Sequence, residues 1–250
     1  LAGARRGKTR QAVILLSGGL DSAAAGWWAV RKGLRLHALT VNYGQRHAAE
    51  LTAAGKVAAH LGVKEHAILS VNLSLFGGSA LTDPALSVPK CRSMRHIGQG
   101  VPVTYVPARN TVFLSLALAF AEARDTQDII IGANVLDYSG YPDCRPAFLN
   151  AFARLANLGT KAGAEGKRFR VHTPLLKMTK AQIIRRGLKW GADFSLTSSC
   201  YDPSAQGNAR RQSFLACGRC DACSLRRKGF AELGLTDPVP YADFKPARGN

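Results

Sequence analysis

"AVILLSGGLDSAAAGWWAV", residues 12–30, changes character in its middle. Ala12–Leu16 is an unbroken aliphatic run, the pattern of a strand buried on both faces of a parallel sheet. From Ser22 to Lys32 the residues are small and apolar without turn signals, which suits a helix. A strand that ends in Ser17-Gly18-Gly19 and enters a helix at Asp21 or Ser22 brings backbone N–H groups and the positive end of a helix dipole to one point. Glycines there reach positive φ and let an anion approach the main chain without meeting a Cβ. A plain strand-to-helix turn, with Asp21 or Ser22 as N-cap, would account for the glycine pair alone. The whole string in its strand–loop–helix context reads as a site for a phosphate chain.

Outward from this junction the first half alternates short β-rich runs with helical stretches. Strands are expected at 12–16, 36–41, 67–71 and 128–132, with helices at 22–32, 47–61 and 110–124, the last apolar on nearly all sides and so expected to be buried. The fold class is therefore α/β, a doubly wound parallel sheet. Residues 72–109 are too long for a routine connection and should be functional or disordered. A helix over 146–158, an exposed loop over 159–168 and a further helix opened by the capping box Thr179–Gln182 and closed near Gly187 or Gly191 follow. The expected organisation is an α/β domain over 11–190 and a small C-terminal cysteine-bearing region over 191–250 packed on it, with residues 1–10 a disordered basic arm.

The 250 residues, 46% of them hydrophobic, suffice for a sizeable core. No apolar run approaches the ~18–20 residues of a membrane span, and "AVILL" is too short for a secretory signal, so a soluble, cytoplasmic protein is expected. The start at Leu1 suggests a processed terminus. The formal charge of +18 is dispersed over pairs such as Arg31–Lys32, Arg185–Arg186, Arg210–Arg211 and Arg226–Lys228, several of which close helices. It reads as a basic solvated surface serving polyanionic small ligands, with nucleic acid left open. "GARRGKT", Gly3–Thr9, has one residue too few and no preceding strand for a P-loop, so ATP would be used otherwise than by γ-phosphate transfer.

Four of six cysteines, Cys200, Cys217, Cys220 and Cys223, lie in one short segment. C-x2-C-x2-C with a fourth thiol seventeen residues upstream suits a closed tetrahedral site, structural because it has no open position. Zinc is favoured over an iron–sulfur cluster or a redox pair. The segment has few aliphatic residues, and a bound ion would supply its stability. Cys91 and Cys144 read as free thiols.

"DYSGYPDCR", residues 137–145, follows the 128–132 strand at the edge where open α/β sheets place ligands. Tyr138 and Tyr141 could stack on a flat heterocycle, Asp137 or Asp143 accept its N–H groups, and Arg145 hold a carboxylate. Equally, these aspartates could cap local N–H groups, with Arg145 paired to one of them. Arg109 and Asn110 open a helix facing the same crevice, where Asn110 could simply be its cap. Lys180, more than Lys177, could hold phosphates as a point charge. Trp27 and Trp28 read as helix packing.

Ser17, Gly18, Gly19, Asp21 and Ser22, after a first strand, resemble the PP-loop of the ATP pyrophosphatases, an adenine nucleotide alpha hydrolase-like, Rossmann-like fold family. With "YGQRHAAE" (43–50), "VPARN" (106–110), "NVLDYSGYPDCR" (134–145), "TPLLKMTK" (173–180) and the cysteine tail, the order is similar to that of the 7-cyano-7-deazaguanine synthase family of queuosine biosynthesis, over about residues 12–235. The resemblance implies ATP with Mg²⁺ on Leu16–Ser22, catalytic roles for Ser17, Asp21, Ser22 and Lys180, and Zn²⁺ on the four cysteines. It implies that 7-carboxy-7-deazaguanine and ammonia become the nitrile preQ0 through adenylated acid and amide. Arg109, Asn110, Asp137, Tyr138, Tyr141, Asp143 and Arg145 would bind the acid, and a homodimer is expected. Two other readings are a PP-loop tRNA-modifying enzyme of the thiolase type, which needs a reactive exposed cysteine pair, and a zinc-containing nucleic-acid-binding protein, which leaves the glycine loop unexplained.

Overall fold

The computed structural model describes residues 10–46, 49–97, 99–136, 140–206 and 213–242. The aliphatic run forms β1 (Gln11–Leu15) and the small-residue stretch α1 (Leu20–Arg31). Then come β2 (Arg35–Asn42), α2 (Ala49–Leu61), β3 (Glu65–Ser70), α3 (Arg109–Ala123), β4 (Asp128–Ile130), α4 (Pro146–Leu158), the one-turn α5 (Lys161–Ala164), β5 (Arg170–His172) and α6 (Lys180–Trp190). An antiparallel pair, β6 (Ser204–Gln206) and β7 (Ser213–Leu215), precedes α7 (Asp221–Ala231).

Five strands make an all-parallel sheet in the order β3-β2-β1-β4-β5. The chain runs outward from β1 to β3, then crosses to β4 on the other side of β1, so the winding reverses between β1 and β4. A crevice beyond the strands' C-terminal ends opens at such a reversal. Because side chains alternate along a strand, β1 divides its residues between two cores. Ala12 and Ile14 pack with Ala24 of α1, Leu61 of α2, Ile183 and Ile184 of α6 and Phe230 of α7. Val13 and Leu15 pack with Leu114 and Leu118 of α3 and Leu149 and Phe152 of α4. Each such Leu or Ile, fully buried, contributes on the order of 1.5–3 kcal/mol. The small residues of α1 allow close approach: a Cβ on Gly26 would lie 2.6 Å from Leu61 Cδ1. Trp27 packs edge-on against His60, and Trp28 lies 5.7 Å from His172, ring centre to ring centre.

Several expectations are corrected. α3 is buried on one side only, because Thr111, Ser115, Ala119 and Ala123 form an exposed stripe too weakly polar to show as a hydrophilic face. The stretch 159–168 contains α5, whose first turn is capped by the Thr160 hydroxyl and anchored by buried Ala162. Residues 72–109 begin with a short 3₁₀ turn and fold into a cover that buries Ala80, Leu81 and Val88. Lys90 forms a bridge with Cys220, and the Cys91 N–H donates to the Arg219 carbonyl at 2.8 Å. β5 is an edge strand of three residues, paired to β4 through Val171 opposite Ile129. Arg226, read from sequence as part of a basic helix end, is buried. The rejected P-loop match at 3–9, His47, Asp137, Tyr138 and the pair Arg210–Arg211 lie outside the described residues. Among the described residues no helix is long and apolar enough to cross a membrane.

Candidate active site

At the switch point the loop between β1 and α1 forms one wall of a cavity of about 230 Å³. Gly18 sits at φ +82°, and a Cβ there would lie 2.4 Å from the Glu50 carbonyl oxygen and 2.5 Å from the Ala54 nitrogen, so this position admits only glycine. Gly132, just past β4, also passes close to the first turn of α1, its absent Cβ 2.9 Å from the Ser22 nitrogen. Ser17 Oγ accepts the Gly19 N–H at 3.3 Å and donates to Ser22 Oγ at 3.1 Å, while Ser22 Oγ donates to the Gly19 carbonyl at 3.0 Å. The loop is thus shaped by its own hydroxyls around the helix N-terminus.

Lys180, first residue of α6, closes one end of this wall. Its Nζ donates to both Asp21 oxygens, at 2.7 and 2.8 Å, with Lys180 buried and Asp21 partly so. The capping box of Thr179 and Gln182, with both arms made, fixes where α6 begins. Gly229 of α7 lets the lysine stem pass, since a Cβ there would stand 2.7 Å from Lys180 Cγ.

Another part of the lining is aromatic. Tyr43, Phe113, Tyr141 and Tyr201 line it, with Arg109 and Glu50 among them. The Arg109 guanidinium donates to Tyr43 Oη at 3.4 Å and lies 5.6 Å from the centre of that ring. Burial raises the Glu50 carboxyl to about 7, against the lowering effect of Arg109. Burial, with the Glu50 charge beside it, also holds the Tyr43 phenol above its ordinary value. The lining thus combines aromatic side chains and the Arg109 cation with a loop suited to phosphates.

Of the sequence-predicted residues, Leu16, Ser17, Gly19, Leu20, Asp21, Ser22, Lys180, Arg109, Asn110 and Tyr141 line this one cavity. Asp143 stands behind it: its Oδ2 accepts the Asn110 N–H at 3.0 Å, and the Asn110 amide donates to the Asp143 carbonyl at 3.2 Å. Arg145 is exposed at the N-cap of α4 and is not among the cavity's lining residues. Cys144 lines the cavity as a thiol that burial pushes up to about 11, a poor nucleophile at neutral pH. Tyr43, Glu50, Tyr201, Ser199 and Arg226, also in the lining, were not singled out as site residues from sequence. Their signal was membership of longer segments, "YGQRHAAE" and the stretch around Cys200, and for Arg226 the basic run 226–228.

Cys200, Cys217, Cys220 and Cys223 are buried, with their sulfurs all within 4.8 Å of one another. Backbone N–H groups aim at the sulfurs, among them Cys217 N–H to Cys200 Sγ at 3.2 Å and Cys220 N–H to Cys217 Sγ at 3.4 Å. α7 begins right after Cys220, placing a positive helix end beside them. Four thiols in this setting fit a metal ion that takes thiolate ligands in a closed shell. The cluster packs under Ala80 and Val88 of the long cover.

Residues 11–234 match the family described as "Queuosine biosynthesis protein QueC". The chain is 56% identical over 235 residues to a 7-cyano-7-deazaguanine synthase of Anaeromyxobacter dehalogenans, covering 94% of this chain and 97% of that one. It is 54% identical to the enzyme of the same name from Pseudomonas aeruginosa, over 93% and 98% of the two chains. Among solved structures it is similar to a 4-thiouridine synthetase in an RNA complex with bound ATP (19% identity, TM-score 0.47, 74% of this chain and 42% of that one). It is also similar to an NH3-dependent NAD synthetase from Campylobacter jejuni (17% identity, TM-score 0.43, 77% and 69%).

Proposed function

The chain belongs to the QueC family, the 7-cyano-7-deazaguanine synthases of queuosine biosynthesis, and from that premise we propose how its cavity makes a nitrile. ATP lies with its phosphates on Ser17–Ser22 and 7-carboxy-7-deazaguanine lies in the aromatic part of the cavity. A carboxylate oxygen of the acid attacks the α-phosphorus, the bond to the β-phosphate oxygen breaks, and pyrophosphate leaves. Ammonia adds to the acyl carbon and AMP departs with the carboxylate oxygen, giving the amide. The amide oxygen is then adenylated in the same way, leaves on AMP, and the nitrogen loses two protons to give the nitrile.

What carries this reading is that the glycine loop with Lys180 and the aromatic group with Arg109 line one and the same cavity. First-turn N–H groups of α1 and the Lys180 ammonium stabilise charge on the leaving pyrophosphate. Arg109, a guanidinium in the cavity lining beside Tyr43 and Tyr141, holds the acid's carboxylate, while Tyr141 flanks the heterocycle. Asp143 acts by holding the start of α3, and with it Arg109, in place. Oxygen donors of Asp21, Ser17 and Ser22 are the type Mg²⁺ takes, and that ion when bound supplies charge neutralisation along the phosphates. The four cysteines hold zinc as a structural ion, the 191–250 region being a module packed on the 11–190 domain of a cytoplasmic homodimer. The sulfur-transfer reading fares worse, because Cys144 is a buried, protonated thiol.

Incubating the zinc-loaded protein with ATP, ammonium and the deazaguanine acid should yield the nitrile together with AMP and pyrophosphate. Release of ADP and phosphate instead would overturn the adenylation route.

A further inference from the structure

The first turn of α1 lacks a cap of its own. Gly19 occupies the N-cap position and brings no side chain, so the Leu20 N–H has no partner within the helix or its preceding loop. Its partner comes from the other end of the chain: Ser199 Oγ accepts the Leu20 N–H at 3.2 Å. The neighbouring Ser198 N–H donates to the Gly18 carbonyl at 2.9 Å, so two consecutive residues clamp the glycine loop.

A second donor converges on the same hydroxyl. Arg226 of α7 is buried, and each of its five N–H groups is engaged. Nε donates to Asp237 Oδ2 at 2.8 Å, and Nη2 to Asp237 Oδ1 at 3.0 Å and the Phe194 carbonyl at 2.9 Å. Nη1 donates to Thr197 Oγ1 at 2.6 Å and to Ser199 Oγ at 3.5 Å. Arg226 therefore lines the cavity without a donor left for a ligand; what it does is direct Ser199.

A serine oxygen has two lone pairs and one hydrogen. At Ser199 both lone pairs face N–H donors, one of them cationic, and among the described residues no acceptor takes the hydrogen. Donors on the oxygen also polarise the O–H bond and strengthen it as a donor. Ser199 lines the main cavity beside Gly19, the point where an anion can reach the main chain.

We propose that Ser199 is a phosphate-binding residue of the nucleotide site, its hydroxyl donating to an oxygen of the ATP phosphate chain and of the pyrophosphate that leaves. The inference rests on the nucleotide reading above and adds to it a ligand outside the Ser17–Ser22 loop. Ser199 precedes Cys200, so the cysteine cluster fixes it from one side and Arg226 from the other. Its role is thus double: it caps α1 by accepting, and it binds phosphate by donating.

Calorimetric titration of the metal-loaded full chain separates the two roles, with α,β-methylene-ATP, pyrophosphate and adenosine as probes. Ser199→Ala should weaken the analogue and pyrophosphate about tenfold, roughly 1.4 kcal/mol, and leave adenosine unchanged. Ser199→Thr, which keeps the hydroxyl, should restore both phosphate ligands. Wild-type affinity for pyrophosphate in Ser199→Ala, or equal weakening of adenosine, would overturn the assignment and leave the serine a helix cap only. Were Ser199→Ala to lose the fold, Ser199→Cys supplies the same comparison with a weaker donor. Failure of the wild-type chain to bind the ATP analogue would overturn the nucleotide reading, and this inference with it.

Discussion

On the loop side of the cavity Asp21 and Lys180 neutralise each other through two bonds of 2.7 and 2.8 Å, and Arg226 has a partner for every donor. In the aromatic part of the lining Glu50 accepts no side-chain hydrogen bond from any described residue, and its cation, Arg109, acts on it through space. A buried carboxyl without a hydrogen-bonding partner titrates where burial sends it. One wall is a fixed cradle. The other responds to pH and to whatever charge the ligand brings.

Lys180→Ala tests the cradle most severely. It leaves Asp21 without its partner in a partly buried site, at a cost of roughly 3 kcal/mol in urea unfolding, and should cut ATP-dependent turnover more than a hundredfold. A double-mutant cycle with Asp21→Asn that gave no coupling would break the contrast at its firmest point. Gly18→Ala should cost about 2 kcal/mol through strain at positive φ and the 2.4 Å clash with the Glu50 carbonyl, and should lower affinity for the ATP analogue in the same titration. On the aromatic side, Asp143→Ala removes the acceptor of the Asn110 N–H and should lower stability by about 1–2 kcal/mol. Its KM for the acid should rise only in step with that loss. A large KM effect with unchanged stability would return Asp143 to the substrate.

The smallest effect is a change of slope. The Glu50 carboxyl sits at about 7 in the folded chain against 4.5 for the free side chain, so the folded state keeps its proton longer. Its contribution to stability is complete below pH 4.5 and is lost as pH rises towards 7. Thermal unfolding of wild type should therefore show a falling Tm across that window that Glu50→Gln flattens. Among the described residues Arg109 and Tyr43 are the ionisable groups coupled to it, and Arg109→Lys, which keeps the positive charge, should leave the slope in place.

The difference between the walls also governs how much was legible in the sequence. The glycine loop of the cradle is continuous: strand, glycines, hydroxyls and the first helical turn lie within twelve residues, and each follows from a local rule. The capping box at Thr179 and Gln182 is local too, and both of its arms are made. The aromatic wall is assembled from β2, α2, α3 and the segments after β4 and before β6, so no spacing could reveal Glu50 beside Arg109. α7 went unread because "SLRRKGF" looks solvated, whereas contact with α6 and the cysteine cluster buries Leu225, Arg226 and Phe230. β5 escaped because three residues carry no period, and its place is decided by pairing with β4.

The clamp on the glycine loop has a consequence in time. Leu20 and Ser199 stand 179 residues apart. A ribosome adding about 5–20 residues per second makes the loop roughly 10 to 40 seconds before the residue that caps it. β1 and α1 can pack while the chain is still being made, yet the Leu20 N–H waits for Ser199 to emerge. A chain halted before Ser199 carries every residue of the glycine motif and an unfinished cradle.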